Sequence, residues 1–169
     1  MAPRLRRLAL TLHVASSVSS LGAIAAFLVL GITGLTSQDP QMVRAAYLTM
    51  ASIARFAIVP LTLASLLTGL IQSLGSPWGL FRHYWVLIKL LLTAFAVMVL
   101  LLKLELIDYA AHLATEASLP RADLRQAGIQ LVLHATGGLL VLLVPTILSV
   151  YKPPGLTRHG WRKQHGQPA

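Results

Sequence analysis

The sequence predicts an all-α protein, a four-transmembrane-helix bundle, and three observations carry that prediction. Hydrophobic residues make up 56% of the 169 residues and charged residues only 11%, whereas soluble domains carry about 25% charged residues. Apolar runs with at most one charged residue recur along the chain, and each reaches the ~20 residues that a bilayer-spanning helix needs. Most of the charges fall between these runs. We therefore expect one integral membrane domain, residues 1–169, embedded in the lipid bilayer.

The first two spans lie at residues 8–35 and 45–74. The first is free of charge and follows three arginines, as a signal peptide does, but it far exceeds an apolar signal segment of roughly 7–15 residues. It is therefore expected to remain as an uncleaved helix. The second span carries Arg55 and contains Pro60, which a membrane helix tolerates because neighbouring helices satisfy the freed carbonyl groups.

The last two spans lie at residues 84–103 and 126–151, and a basic tail follows at 152–169. Lys89 is the one charge in the interior of the third span, which Lys103 ends. The connector after it has apolar residues at helical spacing, which fits either an extension of the third span or a short helix lying on the membrane surface.

The basic residues indicate the orientation of the bundle. Both terminal segments and the second connector hold eight basic residues and no acidic ones, whereas the other side holds four basic and all five acidic residues. By the positive-inside rule, both termini are cytoplasmic, and the protein is expected in the plasma membrane. The eight are Arg4, Arg6, Arg7, Arg82, Lys152, Arg158, Arg162 and Lys163.

Composition also narrows the function classes. A net charge of +9 is typical of nucleic-acid binders, but no soluble basic domain accompanies it, and we expect no nucleic-acid partner. The chain has no cysteine, so disulfides, thiolate metal sites and cysteine nucleophiles are excluded. No phosphate-binding loop, HExxH or GxSxG motif occurs, which argues against hydrolytic chemistry.

Four side chains inside the spans are able to carry positive charge, namely His13, Arg55, Lys89 and His134. At about 1.5 Å per helical residue, His13 and Lys89 share a level about 10 Å from the cytoplasmic boundary. Arg55 and His134 share another level, roughly 13–17 Å from the opposite boundary. Ionisable residues at such depths are functional candidates because charge is costly in hydrocarbon.

Neighbouring residues predict that these four side chains face the centre of the bundle. Small or polar residues follow at helical spacing in each span, a pattern that lets a helix or a flat ligand approach closely. The companions are Ser16, Ser17 and Ser20 for His13, Gly137, Gly138 and Val141 for His134, Trp85 and Thr93 for Lys89, and Ser52 and Thr62 for Arg55.

Structural interpretations stand beside the functional ones for each residue. His13 could be a neutral histidine bonded to a serine, and Lys89 could extend back to the interface, as lysines near helix ends do. His134 could serve helix packing. Arg55 keeps its proton under all conditions, so helix carbonyls or Asp108 would have to satisfy it.

Several short segments resemble the copper-resistance-protein-D-like membrane families. The layout is also similar to the membrane-bound, oxygen-independent protoporphyrinogen IX oxidase, which shares a histidine in span 1 and a lysine in span 3. The segments are Leu12-His13-Val14-Ala15, Arg55-Phe56 with Pro60, Leu67-Thr68-Gly69-Leu70, Pro77-Trp78-Gly79 and Val86-Leu87-Ile88-Lys89-Leu90.

The resemblance implies a b-type haem held by His13 and Lys89. Haem would also supply the anions that the spans lack, since its propionates could pair with Arg82. If the protein is an enzyme, the resemblance implies a membrane oxidoreductase of the protoporphyrinogen oxidase type. Axial ligands on facing helices of a bundle are a common haem arrangement.

Two other functions stay open at this point. Arg55 and His134 could attract an anion or copper into the bundle, as a transport or binding module requires. Alternatively, glycine and serine faces such as Gly31 to Gly34 could pack on a membrane-protein partner or on a second copy in a homodimer.

Overall fold

The computed structural model describes residues 3–75, 84–116 and 121–151. Within these ranges all regular structure is helical, and four helical stretches are long and apolar enough to cross a membrane. The elements are α1 (Pro3–Thr36), α2 (Pro40–Ile53), a π-helical turn (Ala54–Ile58), α3 (Val59–Gly75), α4 (Tyr84–Thr115) and α5 (Arg121–Tyr151). The predicted all-α, four-span fold is thereby confirmed.

The second span is a single helical stretch, Pro40–Gly75, that contains a π-helical turn. It begins at a regular cap, where an Asp39 side-chain oxygen accepts from the Gln41 backbone N–H and Pro40 occupies the first turn. The π-helical turn directly precedes Val59 and Pro60. Proline has no N–H to donate to the preceding turn, and widening the helix by one residue is a known way to absorb such a mismatch.

The four spans pack around a square. α1 packs against the second span on one side and α5 on the other, and α4 also contacts these two neighbours. α1 and α4 lie diagonally across the bundle, without close backbone approach between their described residues. We call the end where α1 begins and α5 ends the termini end, and the end of the α1–α2 and α4–α5 connections the hairpin end.

The well-packed core lies in the hairpin half. Its largest fully buried side chains are Tyr47 and Met50 of α2. Tyr47 fits because glycines of α1 and α5 face it: a Cβ on Gly34 would lie 2.8 Å from the tyrosine ring, and one on Gly128 would collide with its hydroxyl. The hydroxyl donates to the Leu124 carbonyl at 3.4 Å. Gly31 and Gly34, the glycines of α1 that the sequence predicts as packing positions, therefore contact neighbouring helices.

The termini half is more open. No residue of α4 between Tyr84 and Ala96 is buried, and α5 beyond Leu131 buries only Pro145 among its described residues. In this half the close contacts are those of α1 with α3, where Ser16, Ser20 and Ser65 are buried. The bundle is therefore packed more tightly at the hairpin end than at the termini end.

The helices extend beyond the predicted spans at the hairpin end. α4 continues without a break from Tyr84 to Thr115, so the connector after residue 103 is an extension of the third span and not a separate surface helix. The second span starts at Pro40 and the fourth at Arg121. Both extra turns are amphipathic, with Val43 and Leu124 buried and Arg44 and Arg125 exposed.

Candidate functional site

His13 is held on one edge by α3. Its Nδ1 lies 3.0 Å from the Ser65 carbonyl oxygen and 3.2 Å from Thr68 Oγ1. A carbonyl oxygen only accepts, so the bond to Ser65 requires the proton on Nδ1 and leaves the lone pair on Nε2. No described residue forms a hydrogen bond with Nε2. This is the arrangement in which a backbone carbonyl orients a histidine for metal binding through its other nitrogen.

Small residues let α3 approach α1 at this point. A Cβ on Gly69 would lie 3.0 Å from His13 Cε1, so the ring packs directly over the glycine. One turn further along α1, Ser17 Oγ lies 2.7 Å from Ser65 Oγ, while Gln72 donates to the Ala9 carbonyl at 2.8 Å on the other side. The serine face predicted for the first span is therefore a helix-packing seam that fixes the His13 ring.

Lys89 lies on α4, diagonally across the bundle from α1. It is half-buried and lies at the same end of the bundle as His13. Its ammonium also lies 5.3 Å from the centroid of the Trp85 ring, one turn nearer the termini end. Thr93 donates its hydroxyl to the Lys89 carbonyl at 2.9 Å. The structure thus places His13 and Lys89 at the same end of the bundle on diagonally opposed helices, and their joint role stays a prediction.

Arg55 does not face the centre of the bundle, contrary to the sequence-based expectation. Its guanidinium forms an ion pair with Asp108 of α4 at 2.5 Å, and the two side chains are 58% and 48% exposed. Arg55 lies in the π-helical turn beside the buried Ala54 and Ile58, and it does not share the buried position of Thr62. Among the partners considered from the sequence, Asp108 is the one that the structure selects.

His134 lines an open cavity of about 560 Å³, to which all four spans contribute residues. Gly137, Gly138 and Val141 line it too, so the face predicted for the fourth span borders this cavity, with His134 and Gly137 exposed. The ring's Nδ1 lies 2.6 Å from the Gln130 carbonyl. No described contact joins His134 to Arg55, which is not part of the lining, so a joint anion or copper site of the two stays a prediction.

Lys103 is the lining residue that sequence reasoning missed. It belongs to the same cavity as His134, yet its position at the end of the predicted third span made it look like a connector charge. The continuous helix through Thr115 is the signal that would have placed it inside the bundle.

The described residues contain no group of three or more histidine, aspartate or glutamate side chains that could hold a metal ion. Haem iron is less demanding, because the macrocycle supplies four ligands and the protein needs one or two. The His13 and Lys89 donor pair fits that requirement. Arg82, predicted to pair with the propionates, lies outside the described residues, as do the Pro77-Trp78-Gly79 turn and the tail.

Comparison of the chain with protein-family models, curated proteins and solved structures finds no match. Its own geometry therefore carries the functional interpretation.

Proposed function

We propose that this four-span membrane protein binds a tetrapyrrole, with haem b as the first candidate, between α1 and α4 in the termini half. The observation that carries the proposal is the His13 ring. Its Nδ1 is fixed by the Ser65 carbonyl, and its Nε2 lacks a hydrogen-bonding partner among the described residues. Lys89 lies at the same end of the bundle, on the diagonally opposed helix α4.

The two side chains suit iron in complementary ways. The Ser65 carbonyl sets the tautomer of His13 and raises the basicity of its free nitrogen. Lys89 would have to lose its proton to become a ligand, as every nitrogen donor to a metal must. Burial inside an apolar bundle lowers the cost of that loss. The protonated ammonium of Lys89 lies over the Trp85 ring instead.

The packing of the bundle supports a large flat ligand at this level. α4 buries no residue from Tyr84 to Ala96. A protein without such a ligand would be expected to close this half with large apolar side chains, as the hairpin half does around Tyr47. The termini half instead combines two nitrogen donors with incomplete packing.

A bound haem would supply one-electron redox chemistry within the membrane. Spans 1 to 3 resemble the copper-resistance-protein-D-like and protoporphyrinogen IX oxidase-like families in the short segments around His13, Arg55 and Lys89. We therefore propose electron transfer or tetrapyrrole handling as the role. As an enzyme, the protein would be a membrane oxidoreductase of the oxidase type. The residues of the chain would bind and orient the tetrapyrrole and keep water away from it.

An absorption spectrum of the purified protein tests this proposal. In detergent, after expression with haem supplementation, we expect a Soret band and about one haem per chain by extraction. His13→Ala and Lys89→Ala should each abolish or shift the band. His134→Ala is the matched control, because this histidine lines a cavity to which neither His13 nor Lys89 belongs, and its spectrum should match the parent. A colourless protein after supplementation would overturn the proposal, and loss of the band only in His134→Ala would move the site.

A further inference from the structure

The cavity beside His134 has the size and chemistry of a ligand site of its own. Its volume of about 560 Å³ falls within the 300–1,000 Å³ typical of ligand pockets. Phe27, Phe95 and Leu142 are among its apolar walls, and neither His13 nor Lys89 belongs to the lining. Phe95 and Leu133 line the cavity and are both more than half exposed, so the cavity opens sideways toward the surrounding lipid.

Three side chains bring polar atoms to this apolar space. Thr62 donates its hydroxyl to the Ile58 carbonyl at 2.7 Å, and Nδ1 of His134 is engaged by its own helix. Lys103 differs, because no described residue forms an ion pair or hydrogen bond with its ammonium. A cation beside an apolar chamber calls for an occupant that is apolar over most of its length and anionic at one end.

The position of Lys103 along α4 identifies the source of such an occupant. Lys103 lies 18 residues after Trp85, about 27 Å along the helix. The hydrocarbon core of a bilayer is about 30 Å thick, so when Trp85 lies at one interface, Lys103 reaches the opposite headgroup layer. An anionic headgroup and an apolar chain meet at that level in an anionic phospholipid.

We propose that the cavity binds one anionic phospholipid, with an acyl chain inside the bundle and the phosphate at Lys103. The chain enters through the side opening between α4 and α5. Gly137 and Gly138 keep the space free, since a Cβ at either position meets no atom within 4 Å. The site is independent of the tetrapyrrole proposal, which concerns other residues.

Native mass spectrometry of the protein released from nanodiscs tests this inference. The probes are phosphatidylglycerol and phosphatidylcholine with identical acyl chains, in equal amounts. We expect one retained phosphatidylglycerol per chain, in excess over phosphatidylcholine by about fivefold, the effect of about 1 kcal/mol for one lysine near a lipid phosphate. Equal retention of the two lipids by the parent protein would overturn the inference.

Two pairs of variants separate the head and chain contacts. Lys103→Gln should remove the preference and Lys103→Arg should keep it, while Arg125→Gln, an exposed cation outside the lining, should leave it unchanged. Gly138→Leu should remove retention of either lipid by filling the cavity. Gly22→Leu is its control, because a Cβ there also meets open space but lies outside the cavity. Unchanged retention in both Lys103→Gln and Gly138→Leu, or a neutral molecule such as a quinone in the cavity, would contradict the assignment.

Discussion

Gly69 sets how closely α3 approaches α1 at the His13 ring. A methyl group at this position would lie 3.0 Å from Cε1, so the ring or the helix would have to shift by a few tenths of an ångström. We expect Gly69→Ala to destabilise the protein by about 1–3 kcal/mol, the usual cost of overpacking, and to weaken ligand binding at His13. Thermal unfolding in detergent measures the first effect, and haem content measures the second.

Gly22→Ala is the matched control for that substitution. Gly22 lies on the same α1 helix, and a Cβ there meets nothing within 4 Å. Since alanine is the better helix former, this variant should be as stable as the parent or slightly more stable. Equal behaviour of Gly69→Ala and Gly22→Ala would show that the close approach at His13 is unimportant.

Individual residues were predictable where one helix suffices to place them. The serine face beside His13 and the glycine face beside His134 follow from helical spacing alone. In the structure the first packs against α3 and the second lines the open cavity. The partner of Arg55 lies 53 positions away in the chain, and only the packing of α4 selects it. The cavity depends on how all four helices diverge, which no pattern within one helix contains.

At the scale of elements, Tyr47 joins three spans through its contacts with Gly34 and Gly128. A side chain at position 128 would collide with the tyrosine hydroxyl and with Leu35. We expect Gly128→Ala to cost about 1–3 kcal/mol. Adding Tyr47→Phe removes the colliding hydroxyl, so the double variant should cost less than the sum of the single ones. A double-mutant cycle by thermal unfolding measures this coupling, and strict additivity would contradict the packing described.

The ion pair of Arg55 and Asp108 is expected to lie outside the hydrocarbon core of the membrane. α4 has 32 residues, about 48 Å of helix, which exceeds the ~30 Å hydrocarbon core. With Tyr84 at one interface, Asp108 lies about 36 Å away, beyond the core. We expect Asp108→Asn to lower the free energy of unfolding by at most about 1 kcal/mol, as for exposed ion pairs. This decrease should be smaller in high salt. A cost of several kcal/mol would place Arg55 in hydrocarbon.

The four spans were predictable because charges interrupt apolar runs, and each predicted span overlaps an observed helix. The ends of the spans were less predictable, because the amphipathic turns at the hairpin end have the composition of connectors. The π-helical turn was not predictable, because Pro60 indicates a disturbance in the helix but not its form.

For the whole molecule, the orientation in the membrane follows from the positive-inside rule and stays a prediction. The chain has no cysteine, so single cysteines can be labelled one at a time. His112→Cys, at an exposed position near the hairpin end, should react with a membrane-impermeant maleimide in intact cells. Arg4→Cys, exposed at the termini end, should react only after permeabilisation. The reverse pattern would place both termini outside.

The identity of the iron ligands tests the proposed haem site at His13 and Lys89 most directly. Near-infrared magnetic circular dichroism of the ferric, haem-loaded protein distinguishes ligation by histidine and an amine from ligation by two histidines. We expect the histidine–amine signature in the parent and the bis-histidine signature in Lys89→His. A bis-histidine signature in the parent, or one unchanged by Lys89→His, would contradict the assignment of the site to His13 and Lys89.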